Sequence, residues 1–208
     1  MFFSLPDLWR EYQFQFRQES AVQSAMKLVS LLPPFLQIHS HNVAIYMLYI
    51  LDPLPSDSLS IYVAGLLHDV GKLRISPDIL SVPRKLTKEE FAEIKKHPIY
   101  GKQLVKTLFL PKEMESLSVQ CVAYHHERVD GRGYPYGFEQ LPEISRACSV
   151  ADTFDAITDC RPYAAARSFD EGAVELVRSA GLQLDANMVQ RFCSQIHMVN
   201  RKKYRIVF

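Results

Sequence analysis

Apolar residues recur along this chain at helical spacing, and no stretch alternates with period two, which predicts an all-α fold. Residues 7–32 read as one long helix on Leu8, Tyr12, Val22, Met26 and Val29, with Trp9, Tyr12, Phe14 and Phe16 crowding its first half. Pro33-Pro34 breaks it. A second helix from Phe35 to about Leu51 sets Val43, Met47 and Ile50 on one face. Ser56, Asp57 or Ser58 offers an N-cap to a third, which ends at His68-Asp69 and is closed by Gly71. Residues 73–86 hold Pro77, Pro83 and no sustained period, and read as an irregular loop. Thr87 and Glu90 form a capping box for a helix reaching His97-Pro98, and a further helix spans Ile99 to Leu108. Pro111 opens a helix that ends at Tyr124-His125-His126, before a glycine-rich loop over 127–141. Pro142 starts a helix to about Thr158. Ser168 and Glu171 make a second capping box for a helix closed by Gly181, and a last helix covers Asp185 to His197.

At 208 residues with 48% hydrophobic positions, the chain has the makings of one sizeable core. The punctuation divides it into an N-terminal helical extension (1–34), a main domain (35–197) and a basic tail (198–208) carrying Arg201-Lys202-Lys203. A net charge of +1 gives no general attraction to nucleic acid polymers or anionic membranes. Cys121, Cys148, Cys160 and Cys193 stand far apart without a CxxC pair and read as reduced thiols of a cytoplasmic protein. The longest apolar run, Val43 to Leu51, is too short to span a bilayer, and Asp7, Arg10 and Glu11 near the start do not read as a secretory leader.

The chemistry centres on Leu66-Leu67-His68-Asp69-Val70-Gly71-Lys72. Imidazole and carboxylate are ordinary ligands of divalent metals. Neighbours on a helix point about 100° apart, so one ion takes both only where the helix ends. Of seven histidines, His39, His68, His97, His125 and His126 fall at or near predicted helix ends or starts. Taken singly, each is more commonly a core or surface imidazole; taken together, they describe helix ends converging on a pocket. Asp152 lies in the apolar run Ala151-Asp152-Thr153-Phe154-Asp155-Ala156, where a buried, unpaired carboxylate is costly and a metal removes that cost.

The order of these motifs resembles the HD-GYP subgroup of the HD phosphohydrolase superfamily. The matching pieces are His39-Ser40, His68-Asp69-Val70-Gly71-Lys72, Lys85-Leu86-Thr87, and His97-Pro98 with Gly101. They continue with His125-His126-Glu127-Arg128-Val129-Asp130-Gly131-Arg132-Gly133-Tyr134-Pro135, Ala151 to Ala156, Arg161-Pro162-Tyr163, and the closing stretch Gly181 to Phe192. The resemblance covers about residues 37–195 in one register.

The resemblance implies a helical HD-domain bundle with an extra N-terminal helix, and a metal-dependent phosphodiesterase hydrolysing cyclic di-GMP to linear pGpG, GMP or both. It implies two or three divalent ions, often iron or manganese. His39, His68, Asp69 and Asp152 resemble the ligands of one, and Asp69, His97, His125 and His126 those of the other, with Asp69 bridging and belonging to the catalytic machinery. Two adjacent ions activate water near neutral pH and clamp a phosphate. Lys72 resembles the family lysine that contacts phosphate oxygens. Gly133, Tyr134 and Pro135 resemble a substrate-binding loop, and Arg161 is placed to pair with a phosphate or read a guanine edge. Asp130 reads as a shaper of the glycine turn, and Asp155 as holding either a helix contact or a contact behind a ligand.

Two departures stand out. Phe35 occupies the position, one turn before His39, where some members carry a glutamate; this argues for two ions and not three. Ala164-Ala165-Ala166 stands where the family often has a basic residue. The alternative reading is a weakly active or inactive module that binds cyclic di-GMP or signalling proteins. The complete ligand set favours the enzyme. Candidate partners beyond the substrate are a second copy of the chain, through the N-terminal helix, and signalling proteins.

Overall fold

A computed structural model describes residues 19–82, 84–159 and 167–199. The chain runs through α1 (Ser20–Val29), α2 (Pro34–Leu51), α3 (Pro55–Leu67), a 3-10 turn (Val70–Arg74), α4 (Pro77–Leu80) and α5 (Lys88–Ile94). It continues through α6 (His97–Val105), α7 (Lys112–Tyr124), α8 (Glu143–Thr158), α9 (Phe169–Ser179) and α10 (Ala186–Val199). Among the described residues, an isolated bridge between Ala180 and Leu184 is all that resembles sheet, so the fold is all-α as expected.

The bundle is built around α2. Val43, Ala44, Met47 and Ile50 are fully buried, and His39, Ser40, His41, Tyr46 and Tyr49 are also buried around its circumference. A helix apolar on all sides needs neighbours on all sides, and α3, α8 and α10 supply them, while α7 packs on α3 and α8, and α6 on α7. Phe154 of α8 meets Phe192 of α10 edge to face at 4.8 Å and Tyr46 of α2 at 5.4 Å, forming the aromatic floor of the core. α1 adds Ala21, Val22, Ala25 and Val29 to the same core. The earlier part of the N-terminal helix read over 7–32 lies outside the described residues.

Both capping boxes form. Thr87 accepts from the Glu90 amide at 3.2 Å while Glu90 accepts from the Thr87 amide at 2.7 Å, and Ser168 and Glu171 repeat the exchange. Elsewhere the punctuation shifts. α3 begins at Pro55, ahead of the serines and aspartate read as its cap, because proline at the first helical position is pre-set for the turn and gives up only an amide that has no partner. It ends at Leu67 and not at Gly71: Asp69 leaves the helical path with φ −103° and ψ 3°. Gly71 serves another purpose, since a β-carbon there would sit 1.8 Å from the His97 carbonyl oxygen. That contact lets the 3-10 turn lie directly against the start of α6. The stretch read as irregular, 73–86, contains the one-turn helix α4, too short for periodicity to reveal. The helix expected to reach His97 stops at Ile94, and His97-Pro98 opens α6 instead.

Candidate metal centre

The structure brings His39, His68, Asp69, His97, His125, His126 and Asp152 to one end of the bundle. His68 is the C-cap of α3 and His125 the C-cap of α7, His97 is the first residue of α6, His39 lies in the second turn of α2, and Asp152 is inside α8. Because Asp69 has left the helix, its carboxylate turns back toward His68, whose Nε2 is 3.5 Å from Oδ2.

Each buried imidazole is oriented from behind. His68 Nδ1 donates to the Gly65 carbonyl at 2.8 Å, His97 Nδ1 to the Ile94 carbonyl at 2.7 Å, and His125 Nδ1 to the Val122 carbonyl at 3.0 Å. The same local device recurs three times, a ring N–H given to the carbonyl three residues back, at or just before a helix terminus. His39 Nδ1 donates to Asp155 Oδ2 at 2.6 Å. These acceptors take the Nδ1 protons and leave the Nε2 lone pairs of His68, His97 and His125 aimed inward. Of the two contacts read for Asp155 from the sequence, the structure shows the one behind a candidate ligand, His39.

The bare nitrogens face Asp69 in two groups. Oδ1 lies 3.2 Å from His97 Nε2 and 3.8 Å from His125 Nε2. Oδ2 lies 3.5 Å from His68 Nε2 and 3.7 Å from His39 Nε2, and also accepts from Lys72 Nζ. Asp152 Oδ1 is 3.1 Å from His39 Nε2. One ligand atom from each of Asp69, His97, His125 and His126 lies within 4.8 Å of the others, and the same holds for His39, His68 and Asp69.

This donor set fits divalent metal. The Nε2 atoms of His39 and His68 and Oδ1 of Asp69 are buried without a hydrogen-bond partner. His97 Nε2 and His125 Nε2 are 3.2 Å apart with their protons committed elsewhere, so two lone pairs oppose each other. Only a cation between them makes that contact favourable. The electrostatics agree. Burial pushes His125 well below the ordinary histidine value, and neighbouring His126, His68 and His97 add to it; burial and His97 bring His126 to about 3. Burial works against ionisation of Asp69, but the Lys72 ammonium outweighs it and holds the carboxyl well below the usual range. Burial likewise opposes a charge on His39, but the carboxylates of Asp152 and Asp155 beside its two nitrogens raise it to about 9, so a proton and a metal compete for Nε2.

The loop read as substrate-binding borders this centre. Tyr134 stacks on the His126 ring at 4.6 Å and 22°, and meets Phe91 of α5 edge to face at 6.5 Å. The Tyr134-Pro135 peptide is cis. Asp130 accepts from the Arg132 amide at 3.1 Å and pairs with Arg128, shaping the turn as read. Gly133 is where the loop presses on itself: a β-carbon would lie 2.4 Å from Glu127 Cα. Sequence reasoning gave Glu127 no role of its own, yet it is fully buried and its carboxylate accepts from the amides of Tyr136, Gly137 and Phe138 at 2.6–3.2 Å. It clamps the loop whose tyrosine lies on a candidate ligand. The available signal was a carboxylate between a histidine pair and a glycine-rich loop. Arg161 and Ala164 lie outside the described residues.

Two cavities open beside the centre. One, of about 300 Å³, includes His125, His126, Asp152, Tyr134, Lys95 and Arg132 in its lining. The other, of about 760 Å³, includes Phe35, Lys72, Lys85, Lys88 and Phe91.

A family model described as HD domain matches residues 23–188. The chain belongs to the HD domain family, and its motif string places it with the HD-GYP proteins. It is 38% identical over 135 residues to cyclic di-GMP phosphodiesterase PA4108 of Pseudomonas aeruginosa, covering 60% of this chain and 31% of that protein. It is 35% identical over 158 residues to 3′3′-cGAMP-specific phosphodiesterase 3 of Vibrio cholerae, covering 74% of this chain and 34% of the relative. The chain therefore spans about a third of the length of these curated relatives. Bd1817, an HDG"Y"P protein from Bdellovibrio bacteriovorus, superposes with a TM-score of 0.61 at 18% identity, over 78% of this chain and 52% of that one, and shares the fold. Among the described residues, no helix is long and apolar enough to cross a membrane.

Proposed function

We propose that this chain is a metal-dependent phosphodiesterase that hydrolyses cyclic di-GMP to pGpG, GMP or both, and so lowers a bacterial second messenger. The observation that carries this reading is the arrangement around Asp69: its two oxygens face separate groups of imidazole nitrogens. The names of the relatives support the substrate class.

In this reading His39, His68, Asp69 and Asp152 hold one divalent ion, and Asp69, His97, His125 and His126 a second. A bound ion pair supplies activated water near neutral pH and charge neutralisation at a phosphate. The chain's residues do the rest. The Nδ1 hydrogen bonds hold each ring at a fixed angle, so coordination costs little reorganisation. Lys72 balances the charge of Asp69 and, with its Nζ beside the centre, stabilises charge developing on phosphate oxygens. Tyr134, Gly133 and Pro135 form one wall for the nucleotide, and Arg161 acts on binding. Phe35, partly buried against the core one turn before His39, offers no lone pair, which supports two ions. Iron, manganese, zinc and nickel all suit this mixed nitrogen and oxygen set, and the family resemblance favours iron or manganese.

The chemistry belongs to residues 35–197, with 1–34 as an extension, 198–208 as a tail, and the cytoplasm as the compartment. A second chain at the N-terminal helix and signalling proteins are the candidate partners. The test is anaerobic reconstitution with iron or manganese, followed by chromatography of products from cyclic di-GMP. Appearance of pGpG or GMP is expected; intact substrate with either metal overturns the reading.

A further inference from the structure

Among the described residues, His39, His68, His97 and His125 each have a hydrogen-bond acceptor behind the ring, and His126 is held differently. Its ring is wedged among others: Tyr134 stacks on it at 4.6 Å, His125 lies at 4.2 Å and His97 meets it edge to face at 4.9 Å. Its direction therefore depends on the backbone that carries it. The Tyr134 amide donates to the His126 carbonyl at 3.2 Å, which fixes the peptide plane on one side. The plane on the other side joins His125 to His126, and its carbonyl belongs to the C-cap of α7, where the helix has no further amide to give. There the hydroxyl of Ser149, buried on α8, donates to the His125 carbonyl.

A serine hydroxyl carries one proton. The Ser145 carbonyl also lies 3.0 Å from Ser149 Oγ, but inside α8 that carbonyl takes the amide four residues on, so the His125 carbonyl is the acceptor in need. One turn earlier a similar contact recurs: Ser145 Oγ donates to the Gln120 carbonyl at 2.9 Å. Gln120 lies inside α7, and its carbonyl already has a helical amide. Both serines tie α8 to α7, and Ser149 alone of the two does so at a candidate ligand. Ser149 also lines the smaller cavity with Asp152, the carboxylate beside His39.

Resting on the reading of two ion sites, we propose that Ser149 is a positioning residue for the histidine pair. Its hydroxyl holds the peptide between His125 and His126, and so sets how tightly the ion shared by Asp69, His97, His125 and His126 is bound. A planar peptide transmits this directly. Holding the carbonyl oxygen fixes ψ of His125 and φ of His126, and both ring directions follow from those angles. Without the bond, coordination has to order the His126 ring as well as engage it. The ion of His39, His68, Asp69 and Asp152 draws nothing from this peptide.

The test is binding of manganese, or of iron(II) under anaerobic conditions, to the full chain in competition with a chelator of known affinity. Melting of the metal-free protein is followed in parallel, so that loss of an ion is separated from loss of the fold. Ser149→Ala should weaken one of the two ions by about ten- to a hundredfold and leave the other within about threefold. Ser149→Cys, which keeps the bulk but offers only a weak donor, should do the same. Ser145→Ala, which releases a carbonyl already satisfied, should leave both affinities within about threefold. Two ions bound as tightly by Ser149→Ala and Ser149→Cys as by the unaltered chain overturn the inference. So does an equal loss at both ions, or a loss in Ser145→Ala as large as in Ser149→Ala. An unaltered chain that takes up neither metal defeats the two-ion reading itself; two ions in the unaltered chain without a selective loss in the Ser149 variants defeat this inference alone.

Discussion

Two carboxylates lie fully buried a few residues from candidate ligands, and they are kept in opposite ways. Glu127 is surrounded by donors: three successive backbone amides point at it, so the chain satisfies its charge from its own resources. Asp69 faces bare imidazole nitrogens on both oxygens, and apart from Lys72 it meets lone pairs where it needs donors. A buried carboxylate met by amides is a fastening. One met by imidazole nitrogens is suited to a cation, and in the proposed reading an ion offsets the cost of burying it.

The most damaging way to break this contrast is Asp69→Ala. It should lower cyclic di-GMP hydrolysis by about a thousandfold or more, because both groups of imidazoles lose their shared anion. Near-normal turnover would contradict the assignment. Glu127→Gln should act on the fold instead. One amide oxygen replaces two carboxylate oxygens, and its NH2 faces backbone donors, so stability should fall by about 1–3 kcal/mol, read as a drop of several degrees in Tm. The metal-induced rise in Tm should survive in Glu127→Gln and vanish in Asp69→Ala. A rise preserved in both would erase the distinction.

The contrast also explains what was legible beforehand. The capping boxes Thr87/Glu90 and Ser168/Glu171 formed as read, because each is settled within four residues. The five histidines, Asp69 and Asp152 were legible as a group because their motifs come in a fixed order. The part of Glu127 was not, since its partners lie nine to eleven residues away and point inward only after the glycine loop has closed. Gly71 was read as a helix stop, because a close approach to the His97 carbonyl leaves no mark in local sequence. α4 was missed because one turn has no period.

Smaller effects sharpen the boundary between the two regions. Tyr134 touches His126 by stacking and is read as acting on binding, so Tyr134→Ala should raise KM by roughly tenfold. A collapsed kcat with KM unchanged would move Tyr134 into the chemistry. The smallest effect is at the edge of the larger cavity. The Arg84 hydrogen bonds, with the Thr87 amide, hold the Glu90 carboxyl at about 2 against an ordinary 4.5. A depressed carboxyl contributes stability that is complete above 4.5 and lost as pH falls toward 2. A carbon-detected NMR titration should find the Glu90 midpoint near 2. A midpoint at the ordinary value would mean that the Arg84 pair does not persist in solution.

The central claim is that Asp69 joins two ion sites, and metal content measures it most directly. Protein reconstituted anaerobically with iron or manganese, freed of loose metal and analysed for metal per chain, should hold about two ions, and Asp69→Ala should hold essentially none. Two ions retained in Asp69→Ala would contradict the bridging role, and three in the unaltered chain would contradict the count that Phe35 supports.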